Sequence, residues 1–127
     1  MTEMAEKIYE LVRTHRHVSF VELERMIPGF KQKRADGNTS AFFLPDIPQI
    51  VIWVDLSKET IEALGELMRS KKVFLNPCSL MVYMVDGAML NLPIPKRKPR
   101  KGSKKDYWVP CVLDTEPKGT SQRNGLV

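Results

Sequence analysis

The first helix is predicted by four apolar positions that share one helical face. These positions are Met4, Ile8, Leu11 and Val12. Their i, i+4, i+7, i+8 spacing is typical of a helix that buries one side and leaves charged residues on the other. The chain is therefore expected to begin with an amphipathic helix.

A second, shorter helix is predicted over residues 20–27. Ser19 and Glu22 have the S-x-x-E spacing of a capping box, in which each side chain bonds to the other residue's backbone N–H. Pro28 and Gly29 then stop the helix. Its expected buried residues are Leu23, Met26 and Ile27.

Two β-rich runs follow a polar loop. The loop contains Asp36-Gly37-Asn38, a strong turn signal. The runs "AFFL" and "IVIWVDL" are separated by Pro45 and Pro48 and are rich in β-branched and aromatic residues. They predict an inserted β-hairpin.

A third helix is predicted to begin after Ser57, a favourable N-cap residue. Lys71 and Lys72 are expected at its end, where positive charge interacts well with the helix dipole. Its buried stripe is formed by Ile61, Leu64, Leu67 and Met68.

The next apolar runs are "KVFLN", "LMVYMV" and "AMLNL". Asp86-Gly87 lies between the second and third runs, and Asp-Gly between apolar runs favours a two-residue hairpin turn. The pattern predicts a three-stranded meander. Both faces of its middle strand are apolar, so a second element is expected to cover it. The candidates are the inserted hairpin, the apolar stretch 107–113 folding back, or a protein partner.

This order of a helix, a short strand, a capped helix, a third helix and a hairpin resembles the winged-helix domain over residues 3–92. The expected fold class is α+β and winged-helix-like, with three helices, a small antiparallel β-sheet that forms the wing, and an inserted β-hairpin between helices 2 and 3. The resemblance rests on element order and implies DNA binding, with the second and third helices as a helix-turn-helix and the third as the reader of the major groove.

Charge is distributed unevenly along the chain. Residues 1–95 contain 11 Lys and Arg against 12 Asp and Glu, whereas residues 96–127 contain 9 against 3. The expected organisation is a winged-helix-like domain over 1–95 and a basic C-terminal segment over 96–127, with 107–113 packing back. The stretch "KRKPRKGSKK" has seven cations in ten residues and is expected to be solvated and extended.

A basic segment of this kind is suited to phosphate contacts. The candidate DNA-binding residues are Lys96, Arg97, Lys98, Arg100, Lys101, Lys104 and Lys105 in the segment, Lys31, Lys33 and Arg34 in the polar loop, and Lys58, Arg69, Lys71 and Lys72 in or after the third helix. The expected protein is a small transcriptional regulator that binds DNA.

The third helix itself weakens that interpretation. Glu59, Glu62 and Glu66 share its exposed side and outnumber the cations Lys58 and Arg69, so this face repels phosphate. The alternative is a winged-helix protein-interaction module in a larger assembly. A homodimer or another protein could then pair through the apolar, Met-rich strand face of Met81, Met84 and Met89.

The sequence contains no motif for metal binding, phosphate binding or nucleophilic catalysis. His15, His17, Cys78 and Cys111 lack the paired spacing of a zinc site, and no phosphate-binding glycine motif or activated nucleophile is present. We expect no enzyme activity and no cofactor. The start "MTEMAEKIYE" lacks the basic and apolar regions of a secretory signal, and no run is long enough to span a membrane, so a cytoplasmic location is expected.

Overall fold

The computed structural model describes residues 2–32, 41–44, 47–95 and 106–117. Within these ranges the protein is α+β, with four helices and two three-stranded sheets. The helices are α1 (Glu3–His15), α2 (Phe20–Met26), α3 (Lys58–Arg69) and α4 (Leu80–Asp86). The strands are β1 (Val18–Ser19), β2 (Ala41–Leu44), β3 (Ile47–Val54), β4 (Phe74–Pro77), β5 (Tyr107–Trp108) and β6 (Cys111–Asp114).

The first sheet has the strand order β1-β6-β4, and both of its pairings are antiparallel. Leu113 lies opposite Val18 on one side and Leu75 on the other. The central strand thus comes from the far end of the described chain. Cys111 and Leu113 of this strand share one hydrophobic core with α1, α2 and α3.

The second sheet contains the inserted hairpin predicted between α2 and α3. Strands β2 and β3 pair antiparallel, with Phe42 opposite Trp53. Strand β5 adds a parallel pairing to β3, in which Trp108 lies opposite Val51. The turn predicted at residues 36–38 lies outside the described residues.

The predicted helix starts are confirmed. Ser19 and Glu22 form both halves of the capping box at α2, and Ser57 accepts the backbone N–H of Thr60 at α3. Leu64 and Leu67 are fully buried in the predicted stripe of α3. One predicted core residue of α2 is wrong, because Met26 is 51% exposed whereas its neighbour Ile27 is buried.

The predicted meander is wrong beyond its first strand, because residues 80–86 form a helix and residues 88–92 form no strand. Ser79 caps its start by accepting the Met81 N–H, and Gly87 ends it in the left-handed conformation with φ 89°. Asp86 is therefore the last helical residue instead of a hairpin-turn residue. The described chain has four helices instead of the predicted three; Met81 and Met84 of the predicted Met-rich face lie on α4, whereas Met89 follows it.

Five aromatic rings pack together where the second sheet meets α2 and α4. The centroid of the Tyr83 ring lies 5.3 Å from that of Trp53 and 5.2 Å from that of Trp108. Phe20 contacts both Phe30 and Trp53. The inserted hairpin and the C-terminal stretch therefore both cover α4, through its one buried residue, Tyr83.

Candidate functional site

Most of the predicted DNA-binding cations lie outside the described residues. These are Lys96, Arg97, Lys98, Arg100, Lys101, Lys104, Lys105, Lys33 and Arg34. The residues that flank the basic segment are fixed in the fold: Pro95 is buried, and the Trp108 N–H donates to the Pro93 carbonyl oxygen at 3.0 Å. Pro95, before the basic segment, and Trp108, after it, both lie in the connection between β4 and β6.

The described cations fall at the two ends of α3. Lys31 lies beside the start of α3, because it forms a β-bridge with Leu56, and Lys58 is the first residue of the helix. The ammonium of Lys31 is 3.7 Å from a carboxylate oxygen of Glu24, which offsets part of its charge. Arg69 lies roughly 16 Å further along the axis, at 1.5 Å per residue.

The far end of α3 contains three exposed cations, Arg69, Lys71 and Lys72. The Arg69 guanidinium folds back along the helix, so a Cβ placed on Gly65 would be 3.0 Å from its Nη1. Gly65 therefore leaves room for this side chain. The Lys72 ammonium lies 5.6 Å from the centre of the Tyr9 ring, a cation–π distance that joins α3 to α1.

The exposed face of α3 between these ends is acidic. Glu59 and Glu62 are exposed, and Glu66 is half-buried. The structure therefore does not bring the predicted cations together on α3; it separates them by a row of carboxylates.

The turn between α1 and β1 is a feature that sequence reasoning missed. Arg16 and His17 are consecutive non-glycine residues with positive φ, at 56° and 48°. This left-handed conformation is unfavourable for such residues and persists where surrounding contacts fix it. The fixing contact comes from the other end of the described chain.

Asp114 provides that contact. Its Oδ1 accepts the His17 backbone N–H at 2.7 Å, and its Oδ2 lies 3.0 Å from the His17 Nδ1. The buried side chain of Asn76 donates to the same Oδ2 at 3.1 Å and also to the Glu116 carbonyl oxygen at 3.0 Å. A buried pair, Asp114 and Asn76, therefore holds both the α1–β1 turn and the backbone that follows β6.

The contact with Asp114 also orients the imidazole of His17. A carboxylate only accepts hydrogen bonds, so Nδ1 carries the proton and Nε2 is an acceptor when the ring is neutral. The His17 side chain is 78% exposed, which leaves Nε2 accessible.

A cavity of about 520 Å³ borders this turn. Its polar side includes Arg16, His17 and Glu116, and its apolar wall includes Pro77, Val82 and Val112. Pockets of this size bind small molecules in many proteins. In the sequence the cavity was marked only by an aspartate at the end of an apolar strand, because its residues come from three distant segments.

Metal binding is not supported by the described geometry. Within the described ranges, no group of three or more His, Cys, Asp or Glu side chains is arranged to hold a metal ion. Cys78 is half-buried and Cys111 is buried, and the two do not form a disulfide. The same ranges contain no helix with the length and apolar character needed to cross a membrane.

Helix α4 displays an apolar surface that we call the α4 face, formed by Met81, Met84 and Val85. Their exposed fractions are 58%, 53% and 80%. The helix is nevertheless firmly attached, because Ser19 Oγ donates to Asp86 Oδ2 at 2.6 Å and the Tyr83 hydroxyl bonds to the backbone of two other elements.

Comparisons with known proteins identify no relative. No family model, curated protein or solved structure matches the chain.

Proposed function

We propose that the protein binds DNA as a small transcriptional regulator, with a modified winged-helix body and the basic segment 96–105 in the position of the wing. The observation that carries this proposal is the sheet order β1-β6-β4 combined with the chain order α1, β1, α2, α3, β4, β6. A winged helix has three helices against such a sheet, and the connection between its last two strands is the wing.

The departures from a simple winged helix move the proposed contact away from α3. The hairpin β2–β3 occupies the place of the tight turn between α2 and α3, and the exposed face of α3 is acidic. The connection between β4 and β6 contains seven cations in ten residues. Affinity for a polyanion increases with the number of cations that contact it, so the basic segment is the favoured phosphate-binding element.

The test is the salt dependence of affinity for one duplex, measured by fluorescence anisotropy. Replacing Lys96, Arg97, Lys98, Arg100 and Lys101 together with Gln is expected to flatten the slope of log affinity against log salt by roughly 4, if all five meet phosphates. Lys58→Gln, a single change on α3, is the control and should reduce the slope by at most about 1. The proposal is wrong if the five-residue variant keeps the parent slope while Lys58→Gln abolishes binding.

Sequence-specific regulation requires a second measurement. The affinity for the DNA upstream of the protein's own gene is compared with that for unrelated DNA at fixed salt. A specific regulator favours the first duplex, whereas equal affinities indicate only electrostatic attachment.

A second candidate is a winged-helix protein-interaction module, and the α4 face favours it. Apolar side chains that are exposed together on a firmly held helix are suited to a protein partner, including a second copy of the chain. The expected sign of self-pairing is a concentration-dependent mass in sedimentation equilibrium. Replacing Met84 and Val85 with Gln and Ser should return the protein to a monomer, and a monomer at every concentration excludes the second copy.

A further inference from the structure

Two opposite charges border the cavity without being paired to each other. Arg16 and Glu116 both line it. Within the described part of the chain, neither the guanidinium of Arg16 nor the carboxylate of Glu116 forms an ion pair or a side-chain hydrogen bond. The cavity therefore offers a donor for an anionic group and an acceptor for a cationic group.

Both charges are held in position by the same buried network. Asp114 fixes the turn that contains Arg16, through the His17 N–H at 2.7 Å. Asn76 bonds to Asp114 and to the carbonyl oxygen of Glu116. Asp114 and Asn76 are 7% and 8% exposed, so solvent competes little with these bonds. The backbone at both charged positions is therefore set before any ligand arrives, which lowers the entropy lost on binding.

The remaining wall of the cavity suits an apolar group. Val82 of α4 and Val112 of β6 line it together with Pro77, and Val112 is a buried residue of the central strand. Burial of an apolar group against such a surface is favourable at roughly 25 cal/mol per Å². A ligand that fits has opposite charges at one end and an apolar body at the other.

We propose that this cavity binds a small zwitterion with an apolar body, namely an apolar α-amino acid or a dipeptide of such residues. The ligand carboxylate pairs with Arg16, the ligand ammonium pairs with Glu116, and the apolar side chain packs against Val82 and Val112. A planar guanidinium matches a carboxylate in two parallel hydrogen bonds, which gives this end its specificity. The inference does not depend on DNA binding.

The test uses the full chain and follows backbone amide NMR signals during titration with L-leucine and with leucyl-leucine. At least one of the two is expected to shift the signals of His17, Thr115 and Ser79 in a saturable manner. Leucinamide lacks the carboxylate and N-acetyl-leucine lacks the ammonium, so each is expected to bind at least about ten-fold more weakly than L-leucine.

Matched variants connect each ligand group to its residue. Arg16→Gln should weaken the zwitterion at least about ten-fold and remove the advantage over leucinamide, whereas Glu116→Gln should remove the advantage over N-acetyl-leucine. Arg13→Gln is the control, since Arg13 lies outside the cavity and pairs with Glu10; its affinity should equal that of the parent. The proposal is overturned if neither probe produces saturable shifts, if either blocked derivative binds as well as L-leucine, or if both cavity variants retain parent affinity.

Discussion

Helices α3 and α4 begin in the same way but are stabilised differently. Each starts at a serine whose Oγ accepts a backbone N–H, at 3.2 Å from Thr60 and 3.1 Å from Met81. Helix α3 buries a stripe that includes Leu64 and Leu67, and its other side is charged. Helix α4 is apolar on most sides and buries one residue, Tyr83.

The comparison shows that α3 is stabilised by burying an apolar stripe, whereas α4 is stabilised mainly by polar contacts. Seven residues are too few for a stable isolated helix. What holds α4 is a set of polar contacts to distant elements: Tyr83 bonds to Phe20 and Cys111, and Asp86 accepts from Ser19 and Arg25.

The largest expected effect is in α3. Leu64→Ala should lower the free energy of unfolding by about 2–5 kcal/mol, because it removes a fully buried side chain and leaves a cavity. Urea denaturation followed by circular dichroism measures this change. Glu62→Ala, on the exposed side of the same helix, is the control and should stay within about 0.5 kcal/mol of the parent. A similar loss for both variants would contradict the assignment of the buried stripe.

In α4, the largest loss of stability is expected from removing the Tyr83 hydroxyl. Tyr83→Phe keeps the ring contacts but leaves the buried N–H of Phe20 without its acceptor and removes the hydrogen bond to the Cys111 carbonyl, at an expected cost of about 1–3 kcal/mol. The same denaturation experiment measures it. Tyr9→Phe on α1 is the matched control, and an equal small effect for both would show that the Tyr83 hydroxyl does not hold α4.

The same hydroxyl predicts a dependence of stability on pH. Burial raises the pKa of Tyr83 above its ordinary value, so the folded protein keeps the phenol neutral where the unfolded chain ionises it. The stability that comes from burying the neutral phenol is fully present below a pH of about 10, the ordinary tyrosine pKa. Above this pH it decreases by about 1.4 kcal/mol per pH unit. The difference in unfolding free energy between the parent and Tyr83→Phe should therefore narrow between pH 9 and pH 11. A constant difference over this range would contradict the prediction.

The smallest effect is expected on the α4 face. Val85→Ser should change stability by less than about 0.5 kcal/mol, since Val85 is 80% exposed and the polar anchors of α4 remain. Thermal unfolding provides the measurement, with Val12→Ser in the core of α1 as the destabilised reference. A large loss for Val85→Ser would show that the valine is covered in solution, which would favour a partner on this face.

The sequence was most informative where structure has a local cause. Ser19 with Glu22, and Ser57 before an apolar stripe, identified two helix starts because a cap acts within a few residues. The β-rich runs on either side of Pro45 identified the β2–β3 hairpin for the same reason. In each case the pattern and the structure involve neighbouring residues.

The run "LMVYMV" was misassigned because a short apolar run has no period that separates a strand from a helix. Asp86-Gly87 suggested a hairpin, yet Ser79 and Gly87 also have the positions of a helix N-cap and a left-handed C-terminal glycine. Hydrogen bonds to Ser19, Phe20 and Cys111, which are distant in sequence, stabilise the helix over the hairpin.

The candidate cavity was inaccessible to sequence reasoning for a related physical reason. His17 and Asp114 are 97 positions apart, and only the pairing of β1 with β6 brings them together. A single sequence without that pairing shows an exposed histidine and an aspartate at a strand end. Neither residue alone indicates a binding site.

The central position of β6 has a consequence for synthesis of the protein on the ribosome. Strands β1 and β4 emerge early, but they flank a gap that only residues 111–114 fill. Until those residues leave the exit tunnel, the nascent chain exposes two unpaired strand edges and much of its hydrophobic core, a state that is prone to aggregation. His17 and Asp114 are in contact although they are 97 positions apart in sequence. Such long-range contacts give the sheet a high contact order, which slows folding. We therefore expect the first sheet to form only after residues 111–114 have been synthesised, and the nascent chain to depend on holding chaperones until then.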